Sequence, residues 1–176
     1  MKKAMCMVLF CAVMASFLSC ATGGKPAHEE GRHFEQAGGY SIVLPESWQA
    51  TEFAGLKYKI LMGQTENNFT PNITIVDEAF GGDLSFYVNA VLGQLENLLG
   101  ENFELVERSD FVTLKKVKGE KLVTNTFQLN THIRQVLYCL PGDGKKIVLT
   151  CSAPAEAGEA FDGFFDSILE TFEWTK

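Results

Sequence analysis

The order of apolar periods along this chain predicts an α+β fold, an antiparallel β-sheet flanked by helices. Three observations carry that expectation. Four strand-like runs follow one another from Phe103 to Cys151, separated only by short turns, as antiparallel neighbours are. A helix-period stretch precedes them, with Leu84, Val88, Val91, Leu95 and Leu98 recurring along one side. Another follows, from Phe161 to Phe172. Each helix must bury its apolar stripe, and a sheet between them offers a face to each.

Taken in order, Tyr40-Ser41-Ile42-Val43-Leu44 is β-rich and stops at Pro45, which has no N–H for a ladder. Trp48 to Phe53 reads as a second strand. Leu56 to Met62 reads as a third, alternating at Leu56, Tyr58, Ile60 and Met62. Pro71 opens the strand Asn72 to Val76. Gly81-Gly82-Asp83 then changes the period from two to 3.6, with Asp83 a suitable N-cap and Gly100 a suitable stop. Gly93 inside this helix predicts a close packing contact. Phe103 to Leu114, Glu120 to Leu129, Ile133 to Leu140 and Lys145 to Cys151 are the four consecutive strands. Lys118-Gly119, Asn130-Thr131 and Pro141-Gly142-Asp143-Gly144 are the expected turns, Asp-Gly being a favoured hairpin pair. Pro154 opens the last helix. Phe161, Phe164, Phe165, Ile168, Leu169 and Phe172 form its apolar side, leaving Glu159, Asp162, Asp166 and Glu170 for solvent.

The first 39 residues read differently. Met1-Lys2-Lys3 is a positive start, and Ala4 to Ser19 is apolar or small, too short for a permanent bilayer span. Phe17-Leu18-Ser19-Cys20 closes this stretch and resembles the lipobox of bacterial lipoproteins. That resemblance implies a signal peptide over residues 1–19 and a diacylglyceryl thioether on Cys20. An ordinary secretory signal is the alternative. Residues 20–39, with Gly, Pro and charge but no apolar period, read as a flexible tether. Residues 40–176 form the domain. The expected location is the bacterial cell envelope, lipid-anchored and facing the periplasm on either membrane.

Composition narrows the function classes. At 176 residues the chain makes one domain, and 46% hydrophobic with 21% charged residues excludes a disordered one. A net charge of −7, or −9 once Lys2 and Lys3 leave with the signal peptide, argues against nucleic acid as a partner. His28 and His33 lie in the tether and His132 near a turn, so no metal site is expected. No GxGxxG, Walker loop, GxSxG or CxxC occurs, and neither an enzyme nor a cofactor is expected.

Tyr40 to Pro45 followed by Trp48, Phe69-Thr70-Pro71-Asn72-Ile73, Val148 to Ala153, and Ile168-Leu169-Glu170-Thr171-Phe172 appear in an order that resembles the PsbP-like family, including its bacterial DcrB-type relatives. The resemblance implies an α/β/α sandwich that acts mainly by binding other proteins and has no shared catalytic motif.

Two residue groups stand out. If Asp143-Gly144 is a two-residue turn, Cys139 faces Val148 and Cys151 lies three positions further on. That odd offset puts the sulfurs on opposite faces as free thiols, whereas a bulge or a longer loop would allow a disulfide. Alternating strand direction also gathers Lys115, Lys116, Lys118, Lys121, Lys145 and Lys146 at one end of the sheet. They are six of the thirteen Lys and Arg beyond Ser19. This basic end is the expected contact for an acidic protein surface or anionic headgroups. The leading reading is a membrane-anchored, non-catalytic protein-binding or assembly module. The alternative is a lipoprotein binding a small apolar ligand in a groove between Trp48 and the Phe-rich helix.

Overall fold

The computed structural model describes residues 31–175, apart from 67 and 129. Cys20 and most of the expected tether lie outside the described residues. A seven-stranded antiparallel sheet runs through the middle. Its strands are β3 (Gln49–Thr51), β4 (Ile60–Met62), β5 (Asn72–Ala79), β6 (Phe103–Val112), β7 (Lys118–Gln128), β8 (Thr131–Gly142) and β9 (Lys145–Pro154), in the order β3-β4-β5-β9-β8-β7-β6. Helix α1 (Leu84–Leu99) covers one face and α2 (Glu159–Leu169) the other. The α+β sandwich expected from the periods is therefore the architecture observed.

A second sheet of three strands joins the α2 side. β1 (Arg32–Glu35) and β10 (Glu173–Trp174) both pair with β2 (Tyr40–Val43). The folded unit therefore begins ahead of Tyr40, within the stretch read as tether. Arg32-His33-Phe34-Glu35 lacks an apolar period, so its strand character is set by its partner β2. Tyr40 caps this layer, stacked on Phe172 at 5.5 Å and edge-on to Tyr58 at 5.9 Å.

Alternation divides the sheet's side chains between two cores. Val123, Val136, Tyr138, Leu149 and Cys151 face α2 and the small sheet. Leu122, Leu137, Cys139 and Val148 face α1, meeting Tyr87, Val88, Val91, Leu92 and Leu95. Leu98, expected on that stripe, is 51% exposed, because the packed positions 88, 91, 95 continue to Leu99. Gly93 has open space where a Cβ would sit, so the expected close contact there is absent.

The hairpin register agrees with the sequence reading, Gly142 opposite Lys145 and Cys139 opposite Val148. Cys139 and Cys151 are both buried free thiols on opposite faces. Burial pushes the Cys139 thiol up to about 12 and raises Cys151 likewise. Lys118-Gly119 is not a turn but the start of β7. A Cβ on Gly119 would meet Cys139 O at 2.6 Å, so glycine here lets β7 approach β8. The chain turns earlier, over Thr113 to Val117, with Lys116 at φ +64°.

Candidate functional site

Between α2 and the short strands lies an open cleft of about 260 Å³, lined by Ser47, Trp48, Gly63, Gln64, Glu66, Pro71, Ala160, Phe161 and Phe164. Pro45 ends β2, and the turn that follows, with Trp48 N–H donating to Pro45 O at 2.9 Å, aims the indole under α2. The Trp48 ring lies 5.8 Å from Phe164 and 6.4 Å from Phe165. Phe161 packs against both phenylalanines, at 6.0 and 5.7 Å, and forms the outer wall with Phe164.

The opposite wall is the connection from β4 to β5. Gly63 N–H donates to Pro71 O at 2.8 Å, and Glu66 and Phe69 exchange two backbone bonds of 2.9 Å. A Cβ on Gly63 would sit 3.0 Å from the Trp48 indole, so only glycine lets this wall close on the ring without displacing it. The sequence anticipated the Trp48 and Phe161–Phe164 sides of this groove. The Gly63-to-Pro71 wall was not foreseen, although a Gly and a Pro bracketing that connection were the available signal.

Helix α2 is held by charge as well as by its phenylalanines. Asp162 accepts Arg134 Nε at 2.9 Å and Nη2 at 2.6 Å, and Asp166 accepts Lys121 Nζ at 2.7 Å and the Tyr138 hydroxyl at 2.6 Å. Asp162 and Asp166 therefore clasp the sheet rather than facing solvent as expected. The pairing with Asp162 raises the Arg134 pKa further, so that guanidinium stays charged. The cleft lining holds a Ser, a Gln and a Glu among its aromatics but no His, Cys or Lys. No group of three or more metal-ligating side chains occurs among the described residues.

The ladder brings the ends of β6, β7, β8 and β9 to one edge of the molecule as the strand order requires, but the lysines expected there differ in what they touch. Lys121 leaves the group, lying on the sheet face against Asp166. Lys145 is bound to Asp77 at 3.3 Å and to Gly38 O at 2.8 Å, and sits over the Trp174 ring. Burial pushes the Asp77 carboxyl up, but its bonds to Lys57 and Lys145 hold it below the usual carboxylate value. Lys146 is buried and donates to Phe80 O at 3.0 Å. Lys115 reaches Glu173 at 3.4 Å. Lys116 and Lys118 are exposed and have no ion pair among the described residues.

No protein-family model and no curated protein matches this chain. Solved structures do. The cyanobacterial PsbP of Synechocystis is similar at a TM-score of 0.64 and 12% identity, over 86% of this chain and 98% of that one. LpqN, involved in cell envelope biogenesis of Mycobacterium tuberculosis, gives 0.57 and 17% over 76% and 81%. The Ran-binding protein Mog1p of Saccharomyces cerevisiae gives 0.56 and 10% over 82% and 95%. Identities this low carry fold and nothing finer. The chain has a PsbP-like fold.

Proposed function

We propose that this protein is a non-catalytic, lipid-anchored component of the bacterial cell envelope whose aromatic cleft binds an apolar side chain of a protein partner. The observation that carries this reading is the open cleft itself, with Trp48, Phe161 and Phe164 held in place by a folded layer on each side. Its size favours a protein partner over the alternative of a free ligand. Sites for drug-sized molecules run to about 300–1,000 Å³ and enclose most of the ligand, whereas this one is smaller and open. A cleft of that kind fits one or two side chains presented by another surface, and aromatic anchors of this sort carry much of the energy in such contacts. A lipid at Cys20 would supply the anchor. Among the described residues no helix is long and apolar enough to cross a membrane.

The test is recovery of the full-length protein from membranes after cross-linking in intact cells, comparing the parent chain with Phe161→Ser. We expect a specific protein in the parent sample, reduced at least tenfold in the variant, which is the effect of about 1.4 kcal/mol at a contact. A thermal melt of the variant separates lost contact from lost fold. If the same protein is recovered equally from both, the cleft is not the contact. If no protein is recovered and a small apolar molecule co-purifies with the chain, the ligand-binding alternative replaces this reading.

A further inference from the structure

The turn between β6 and β7 exposes apolar side chains where nothing in the fold requires them. Leu114 is 66% exposed and Val112 45%, while Val117 on the same turn packs against the core. The backbone under Leu114 is nonetheless fixed. Its N–H donates to Glu170 O at 2.8 Å, Thr113 and Val117 bond to each other at 3.0 Å, and Lys116 N–H donates to Thr113 O at 2.9 Å. Lys115, Lys116 and Lys118, all exposed, lie within four positions of this held, water-facing leucine along the turn. The acidic neighbours are Asp110 and Glu170, both exposed, and Glu173, which is already shared between Lys115 at 3.4 Å and Arg32 at 3.0 Å. The local balance is cationic on a chain of net charge −7.

Arg32 adds a second, independent observation. It opens β1, at the point where the described chain begins, and through Glu173 it sits beside this turn. Eleven residues lie between Cys20 and Arg32, at most about 40 Å of fully extended chain. A lipid on Cys20 would join the described fold at Arg32, beside the turn, and a tether of that reach leaves the turn free to meet the same bilayer. This orientation argument rests on the anchored reading above; the apolar and cationic turn does not.

We infer that the β6–β7 turn docks onto an anionic lipid surface, with Leu114 entering the acyl boundary and Lys115, Lys116 and Lys118 meeting headgroup phosphates. An exposed apolar side chain flanked along the turn by lysines combines the two terms that bind such surfaces, apolar burial and attraction to anionic lipid. Each lysine near the surface strengthens association about fivefold, so neutralising two weakens it about thirtyfold.

The experiment uses the full chain carrying Leu114→Trp, with the parent's Trp48 and Trp174 as background. It is mixed with vesicles of brominated phosphatidylcholine, with or without phosphatidylglycerol. The expected result is quenching in excess of the parent on the anionic vesicles only, weakened by salt. Half-saturation shifts about thirtyfold when Lys116→Gln and Lys118→Gln are added. No excess quenching on anionic vesicles, even where the chain floats with them, overturns the inference and returns these lysines to an acidic protein partner. A chain that fails to float with neutral vesicles yet is quenched on anionic ones supports the turn while removing the Cys20 anchor.

Discussion

His33 shows what a single residue can hide from a sequence reading. In a segment of Gly, Glu and Arg it has every mark of a solvated side chain. The fold instead places it in β1 opposite Ile42, half-buried, with Nε2 buried and lacking a hydrogen-bond partner. Burial lowers its pKa below 6.5, nearby Glu35 opposes that shift and Lys59 adds to it. The folded chain then binds fewer protons here than the unfolded one, so this group's contribution is full above pH 6.5 and is lost as pH falls through the depressed folded value. Between pH 7 and pH 5 the melting temperature of the parent should fall more steeply than that of His33→Gln. Parallel curves would show that His33 does not sense pH through the fold. Burial is a property of the partner strand, so neither His33 nor the unpaired Nε2 was legible from positions 32–35 alone. Gly119 was misread for a related reason. A glycine beside a lysine looks like a turn, and only the approach of Cys139 O across the ladder shows why β7 needs it.

At the scale of elements, local period was a sound guide wherever one face dominated. The hairpin through Asp143-Gly144 fixed its own register, and with it the opposite faces of Cys139 and Cys151, because two-residue turns leave no freedom in parity. The bounds of α1 followed from the change of period at Asp83 and the stop at Gly100. Its last turn did not, since both Leu98 and Leu99 are compatible with a helical stripe and the sheet selects Leu99. The distinction is measurable. Leu95→Ala should cost about 2–5 kcal/mol in chemical denaturation, as a buried leucine does. Leu98→Ala should stay within about 0.5 kcal/mol, as an exposed substitution does. Equal losses would mean that the helix presents a different face. Helix α2 was harder to read, because its acids at 162 and 166 look like a solvent face until Arg134, Lys121 and Tyr138 are brought beneath them. Ion pairs across 28 and 45 positions leave no local pattern.

For the whole molecule, the two cores explain why one face carries the candidate site. α1 closes its side of the sheet with a continuous apolar stripe. On the other side α2 and the three-stranded sheet share the covering, and the cleft opens where α2 passes the short strands beside Trp48. The second sheet was not foreseen, since β10 is two residues long and β1 has no period of its own. The basic end shows the complementary limit. Strand order brings those strand ends together, but it could not tell that Lys121 lies on the sheet face against Asp166, nor separate Lys145 and Lys146, tied to Gly38 and Phe80, from Lys116 and Lys118, which face water. The central claim is that a partner protein enters the aromatic cleft. Its most direct test is a photo-reactive side chain at position 161 of the full chain in living cells, paired with the same group at Phe86, an exposed aromatic on α1 across the sheet. The account predicts a discrete protein adduct from position 161 and none from position 86. An adduct from position 86 with none from 161 would contradict it.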